Sequence, residues 1–147
     1  MKYLCMLYLD GAQMRSLSEA ERQELDRQSL GYDETLKEQG NLVAAEALQP
    51  PAAAVTLRFR KGKFSVTDGP IVETHKHLGG FILVEAQDKN EAIEIASKIP
   101  VARLGGAEVR PIIENPMLEY WKERGVATPT VSQWADRGRS LNPFAAD

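Results

Sequence analysis

The stretch GFILVEAQDKNEAIEIASKI, residues 80–99, decides the fold class because it joins a strand signal directly to a helix signal. Its first seven residues are almost all apolar, so both faces of a strand would be buried, as at the centre of a sheet. Asp88 then precedes Glu91 by three residues, which is the spacing of a helix N-cap and its reciprocal partner. Apolar residues at helical spacing follow, and Pro100 ends the helix. The stretch predicts a central strand followed by a helix that packs on the sheet.

The N-terminal forty residues repeat this order of strand and helix. Tyr3 to Leu9 form a nearly continuous apolar run, which predicts another strand buried on both faces, and Asp10-Gly11 ends it. Ser18 and Glu21 have the spacing of a capping box. Gly40 suits the left-handed residue just past the end of the helix that this box begins. The sequence therefore contains two strand-helix units.

Three further strand signals lie between the two units, and one follows the second. Residues 41–48 are predicted to be extended. In residues 55–60 and 63–67, apolar and polar side chains alternate around the turn Lys61-Gly62, which predicts a half-buried hairpin. Ala107 to Ile113 is predicted as the last strand.

The resulting order of elements predicts an α+β fold, a ferredoxin-like split β-α-β sandwich with both helices on one face of the sheet. A chain of this length has no third layer for the other face, so we expect a second subunit to cover it, giving a homodimer. We predict an α+β domain over residues 1–113 and a C-terminal helix and arm over residues 114–147, packing on the domain or on the dimer partner. Asn115 and Gly125 mark the ends of that helix.

Composition restricts the class of partner. The 147 residues are 43% hydrophobic with a formal net charge of −3, and basic residues form no stripe, so we predict no nucleic-acid partner. The single cysteine, Cys5, lies in an apolar run and is interpreted as a buried thiol without chemistry. No stretch is long enough to cross a bilayer and no signal peptide is evident, so we expect a cytoplasmic protein without membrane contact.

A set of short motifs resembles a known family. In chain order they are Met1-Lys2-Tyr3-Leu4, Leu48-Gln49-Pro50-Pro51, Thr67-Asp68-Gly69-Pro70, Glu73-Thr74, Leu78-Gly79-Gly80-Phe81, Ile99-Pro100-x-Ala102-Arg103 and Glu108-Val109-Arg110-Pro111. Over residues 1–113 the sequence resembles the DGPF branch of the YCII-related proteins. It departs from that branch at Ile71, where Phe is usual, and at His75-Lys76-His77, where a shorter Lys-Glu pattern is usual.

The resemblance implies a dimeric α+β barrel, in which two ferredoxin-like subunits place their sheets face to face. The wider superfamily contains isomerases, dehydrochlorinases, monooxygenases and ligand-sensing modules. Genes of the DGPF branch often lie beside genes for extracytoplasmic-function sigma factors. A related branch has a His–Asp pair proposed as catalytic, and its histidine position is occupied here by Ser29, so that pair is not inherited.

The loop from Asp68 to His77 is the candidate site. Asp68 ends a strand, where its carboxylate can either fix the turn or act as a general base. Glu73 is near enough in sequence to share that site and raise one of the two pKa values. His75 is the candidate acid–base partner because its ordinary pKa lies near neutral pH. We therefore predict Asp68, Glu73 and His75 as catalytic residues.

The remaining candidates would bind ligand. His75 and His77 could form half of a metal site or be two solvated loop histidines; no third ligand is evident, so we predict neither metal nor cofactor. Arg103 could anchor a small organic acid through paired hydrogen bonds, or simply form an ion pair. Tyr8 and Phe81 could line an apolar cleft, although aromatic residues at such positions are more often core residues.

Two hypotheses of function follow. The first is a cofactor-independent acid–base enzyme of the isomerase or lyase type, which requires a concave site in which titratable groups converge. The second is a non-catalytic sensor or regulatory module, linked through the family resemblance to a sigma factor, which would expose an apolar patch instead. The sequence alone leaves both hypotheses open.

Overall fold

A computed structural model describes residues 1–114 and 123–125 of the chain. Its helices and strands, in chain order, are β1 Lys2–Asp10, α1 Gly11–Ser16, α2 Glu19–Glu38, β2 Leu42–Ala47, β3 Val55–Arg60, β4 Lys63–Asp68, β5 Lys76–Glu85, α3 Lys89–Ser97 and β6 Gly105–Pro111. Short 3-10 turns cover Pro51–Ala53 and Pro100–Leu104.

The main sheet has four strands in the order β2-β5-β1-β6, and every neighbouring pair is antiparallel. Strands β3 and β4 form a separate two-stranded hairpin inserted between β2 and β5. Without this insertion, the chain order and strand order are those of a ferredoxin-like β-α-β-β-α-β fold. The predicted α+β class and ferredoxin-like arrangement are confirmed.

Both long helices begin at the predicted caps. The Ser18 hydroxyl accepts a hydrogen bond from the Glu21 amide while the Glu21 carboxylate accepts from the Ser18 amide, and Asp88 caps α3 through the Glu91 amide. Gly40 has a φ of 79°, as its position past α2 requires. Sequence patterning missed α1, because Asp10 does more than end β1. Its carboxylate accepts hydrogen bonds from two amides of the next turn and starts that helix.

The core lies between the inner face of the main sheet and the helices α2 and α3. Along β1, alternate residues from Tyr3 to Leu9 are buried, and the residues between them are half-buried on the outer face. The inner residues pack with side chains of β5, α2, α3 and the segment just after α3, namely Leu36, Ile82, Val84, Ala92, Ile95, Ala96 and Ile99. Burial raises the pKa of the Cys5 thiol to about 11, which agrees with its interpretation as a buried, inert group.

The structure corrects the prediction made for the hairpin β3–β4. The hairpin was predicted to be half-buried, yet its large apolar side chains are more than half exposed in the single chain. The alternation of apolar and polar residues correctly gives the side of the hairpin on which each residue lies. The alternation does not say whether the apolar side packs against anything. Within the described chain, that side is left exposed.

The chain divides into two units, Met1–Ile112 and Ile113–Asp147. Most of the predicted C-terminal helix and arm, residues 114–147, lies outside the described residues, so the boundary after residue 113 and the arm remain predictions. Among the described residues, no helix combines the length and the apolar character needed to cross a membrane.

Candidate functional site

A cleft of about 520 Å³ opens between helix α2 and the inner face of the main sheet. Its floor is apolar and comes from β1, β2 and β5, including Leu7, Ala45 and Ile82. The segment Ile99–Val101, where the chain leaves α3, closes one side. A concave apolar space of this size with a few polar groups is the usual form of a small-molecule site.

Helix α2 supplies most of the polar groups of the cleft. Asp26, Ser29 and Asp33 follow a spacing of three and four residues, so they lie along one side of the helix. Glu46 of β2 pairs with Phe81 on the outer face of the sheet, so it borders the cleft through its backbone and not through its carboxylate. No lysine, arginine or histidine is among the lining residues. Within the part of the chain that the structure describes, neither Asp26 nor Asp33 forms an ion pair.

Asp33 is the carboxyl of the cleft whose pKa is shifted from its ordinary value. Burial raises the pKa of its carboxyl above the ordinary value, and the neighbouring Glu34 charge raises it further. A carboxyl that faces an apolar space with a raised pKa can exchange protons nearer to neutral pH. Asp33 is therefore the best-placed acid–base group of this cleft.

Tyr32 holds helix α2 in place against helix α3. Its hydroxyl donates a hydrogen bond to the Ile95 carbonyl oxygen at 2.8 Å and so ties α2 to α3. Burial raises the pKa of this phenol, with smaller contributions from Cys5 and Glu94. Because the hydroxyl is already engaged and stays protonated, Tyr32 fixes the helix that carries Asp33.

Two glycines of β5 allow the chain to pack closely at the end of the cleft. A Cβ on Gly79 would lie 2.3 Å from Cδ1 of Leu9, and a Cβ on Gly80 would lie 2.7 Å from the Glu46 carbonyl oxygen. These distances are too short for real contacts, so a residue with a side chain does not fit at either position without a shift of its neighbours.

The three predicted catalytic residues lie on an exposed segment. Asp68 ends β4, while Glu73 and His75 lie in the connection to β5. Among the described residues, no hydrogen bond or ion pair joins any two of them, and none lines the cleft under α2. The Gly11 amide donates to the His75 carbonyl oxygen, so that end of the loop meets α1 instead.

The Asp68-Gly69-Pro70 turn is held by groups other than the Asp68 carboxylate. Gly69 has a φ of 98°, and its amide donates to the Ala54 carbonyl oxygen at 2.7 Å. The Thr56 hydroxyl donates to the Gly69 carbonyl oxygen, also at 2.7 Å. Backbone geometry and Thr56 therefore account for the turn, and a role for the Asp68 carboxylate stays a prediction.

The predicted ligand-binding residues lie in different places. Phe81 borders the cleft through its backbone, since the alternation along β5 places its half-buried side chain on the outer face of the sheet. Tyr8 lies on β1 opposite Leu78 and is half-buried. Arg103 is exposed in the 3-10 turn after α3, where it borders two shallower grooves. Across the described residues, no group of three His, Cys, Asp or Glu side chains is placed to hold a metal ion.

Sequence reasoning missed the polar residues that define the cleft, Asp26, Ser29 and Asp33. In the sequence, Ser29 stands out only because a related branch has a histidine there. The signal that points to the cleft is the row of short polar residues beside the apolar stripe of α2.

We expect Asp33→Asn to stabilise the protein at pH 7 and to have little effect near pH 3. The folded-state pKa of Asp33 is raised, so its favourable contribution is present below its ordinary pKa and is lost as pH rises through the raised value. Asparagine resembles the protonated acid and lacks this dependence. Urea midpoints at both pH values test this, with Asp26→Asn, at an exposed position of the same cleft, as the control. Equal midpoint changes at both pH values for Asp33→Asn would contradict it.

Comparisons with known proteins agree with the motifs. A family model described as the YCII-related domain matches residues 1–116. An uncharacterized protein of Rhizobium meliloti, R00369, is 32% identical over 114 residues, covering 76% of this chain and 92% of the relative. The predicted family is confirmed.

Among solved structures, 5-chloro-2-hydroxyhydroquinone dehydrochlorinase (TftG) from Burkholderia phenoliruptrix, in complex with 2,5-dihydroxybenzoquinone, gives a TM-score of 0.46 at 16% identity. The match covers 80% of this chain and 98% of that protein. A likeness of this strength assigns no activity to this chain.

Proposed function

The chain belongs to the YCII-related family, and on that premise we propose that it binds a small organic molecule in the cleft between α2 and the sheet, where Asp33 moves a proton. The observation that supports this most is the carboxyl of Asp33, which has a raised pKa and faces an apolar space with no cation beside it. An acid–base group needs that combination of partial desolvation and access to substrate.

The charge of the cleft favours a neutral or cationic ligand. Two carboxylates, Asp26 and Asp33, and no basic side chain line it, so a carboxylate ligand would be repelled on entry. We therefore propose a neutral compound with hydroxyl or carbonyl groups, in place of the small organic acid suggested by the sequence. The apolar floor would hold its carbon skeleton, and Ser29 can donate or accept one hydrogen bond.

The chemistry proposed is proton transfer without a cofactor. Ionised Asp33 would remove a proton from a C–H bond activated by a neighbouring carbonyl and return it to another carbon of the same molecule, as an isomerase does. No oxidant or reductant is needed. Removal of such a group commonly lowers the rate by 100-fold or more.

A ligand-sensing module without catalysis is the second candidate. The exposed apolar face of hairpin β3–β4 favours it, because a sensor must pass on its bound state through a protein contact. The two candidates differ in one measurement. If Asp33→Asn retains ligand affinity while conversion of that ligand disappears, the protein is an enzyme; a ligand that binds and is never converted supports the sensor.

We expect Ser29→Trp to abolish ligand binding without loss of folding, because the indole would occupy the cleft from the half-buried face of α2. The assay is a thermal-shift screen with small neutral lactones, enones and phenols beside their carboxylic-acid analogues, since a ligand of the native state raises the midpoint. Gln23→Trp, at an exposed position of the same helix, is the control.

Neutral compounds should raise the midpoint of the wild type and of Gln23→Trp, and the acids should not. If Ser29→Trp responds like the wild type, the ligand binds elsewhere. The exposed segment with Asp68, Glu73 and His75 would then be the site to examine.

A further inference from the structure

A second groove, of about 520 Å³, runs between helix α3 and the edge strand β6. Ile93 of the helix and Ala107 and Val109 of the strand belong to its apolar lining. Both strand residues pair with buried residues of β1, so their side chains lie on the inner face of the sheet beside the helix. Ile93 is 47% exposed, so the groove is open to solvent. It has the volume of a small-molecule site.

The charged side chains that line this groove are all basic. Lys89 is the first residue of α3, and Arg103 lies in the 3-10 turn that follows the helix, so one cation stands toward each end of it. No aspartate or glutamate is among the lining residues. Across the described residues, neither Lys89 nor Arg103 forms an ion pair. The groove therefore has the opposite charge to the cleft under α2.

The carboxylates of α3 and β6 do not cancel this charge, because other groups already engage them. Asp88 caps the helix through a backbone amide. Glu94 forms an ion pair with Lys98 at 2.8 Å. Glu108 pairs with Arg110, and its position opposite a half-buried residue of β1 places it on the outer face of the sheet. The two free cations therefore set the local field in the groove.

Arg103 is also free on its other side, where it borders a shallower groove with two glutamates of α2. The Glu21 carboxylate accepts a hydrogen bond from the Ser18 amide at the start of that helix. Glu24 forms an ion pair with Arg27. Both glutamates thus have partners within their own helix, and the guanidinium of Arg103 is available to a ligand.

We propose that the groove between α3 and β6 binds an organic acid with a long apolar chain. The planar guanidinium of Arg103 can hold a carboxylate through paired hydrogen bonds, and Lys89 adds attraction from the other end. The nine residues of α3 are about 13 Å long, so a chain of about ten carbons can lie along the helix. Ile99, 2% exposed, lines both groove and cleft and forms the wall between them. The site is thus separate from the cleft and does not depend on the proposed function.

The apolar chain supplies most of the affinity in this proposal. Each fully buried CH₂ group strengthens binding about fourfold. An exposed ion pair contributes little without that burial. Short carboxylic acids, including those in the thermal-shift screen of the cleft, are therefore not expected to bind measurably, whereas decanoate should bind.

The first test is calorimetric titration with decanoate, kept below the concentration at which it forms micelles. Arg103→Gln should raise its dissociation constant about tenfold, and Lys89→Gln about threefold. Lys98→Gln is the matched control, because Lys98 lies on the same helix, is paired with Glu94 and is not among the lining residues. It should leave the constant within about twofold. Equally tight binding of decyltrimethylammonium, which has the same chain and the opposite charge, would overturn the proposal.

The second test locates the bound chain. Ala107→Trp should abolish decanoate binding, because the indole would fill the groove from the exposed side of β6. Ser29→Trp, which fills the cleft, should leave it unchanged. An unchanged thermal midpoint without ligand shows that both variants are folded, and Arg103→Gln repeats the test at an exposed position if Ala107→Trp is not.

Three outcomes would overturn this assignment. If Ser29→Trp loses decanoate and Ala107→Trp keeps it, the acid binds in the cleft. If neither tryptophan nor Arg103→Gln affects binding, decanoate is adsorbed elsewhere on the surface. If the wild type gives no heat with decanoate and Ala107→Trp changes its sedimentation coefficient, a second copy covers the groove instead.

Discussion

Replacing Leu36 by alanine should lower the free energy of unfolding by about 3 kcal/mol, the usual loss for a buried leucine with a residual cavity. Leu36 is 1% exposed and lies in the core with residues of β1, β5 and α3. Few neighbours can move into the space, because both the sheet and α3 are held by their own hydrogen bonds. Urea denaturation followed by circular dichroism measures the change.

Leu30→Ala is the matched control, because Leu30 belongs to the same helix and is 68% exposed. It should change the free energy of unfolding by less than about 0.5 kcal/mol. If the two substitutions had equal effects, α2 would not pack on the sheet through the face that carries Leu36.

Replacing Gly105 by alanine should also destabilise the fold by about 3 kcal/mol, the upper end of what overpacking costs. A Cβ at this position would lie 1.9 Å from the Tyr8 carbonyl oxygen and 3.0 Å from Cα of Leu9. These are backbone atoms of the central strand β1, which cannot rotate away as a side chain could. The edge strand β6 would have to separate from β1 at its first residues. Urea denaturation measures this loss as well.

The neighbouring residue offers a close control for this prediction. A Cβ on Gly106 would meet no atom within 4 Å, and neither glycine has a φ in the left-handed region that favours glycine. Gly106→Ala should therefore be neutral or slightly stabilising, since alanine reduces the freedom of the unfolded chain. A loss of stability in Gly106→Ala as large as in Gly105→Ala would show that the backbone contact is not the cause.

The sequence predicted those parts of the fold that depend on short-range patterns. The capping residues Ser18 and Asp88 and the stop at Gly40 act within one helical turn, so their spacing is sufficient to locate them. The apolar runs of β1 and β5 likewise predict central strands. The helix cap at Asp10 was missed because the same residue is the last one of strand β1, and the helix begins without a loop between them.

Burial of the hairpin could not be predicted in the same way. Alternation along Val55–Arg60 gives two faces, but whether the apolar face is covered depends on a surface distant in sequence or on another molecule. The same limit applies to the site. Asp33 and Ala45 meet around one cleft only because α2 packs beside β2 and β5, a contact that no local pattern contains.

The Asp68–His77 loop shows that a motif can identify a family without assigning a chemical role to its residues. Its Thr67-Asp68-Gly69-Pro70 part helped to identify the family, which the match over residues 1–116 confirms. The structure accounts for that part by a turn at Gly69. A chemical role for Asp68, Glu73 and His75 remains a proposal that competes with the cleft.

The most direct test of the central claim is a ¹⁵N amide chemical-shift titration with the neutral compound that gives the largest thermal shift. We predict that the largest shifts occur at residues around the cleft, such as Ser29, Asp33, Ala45 and Gly80. Shifts concentrated in residues 68–77, with the cleft unaffected, would contradict the account.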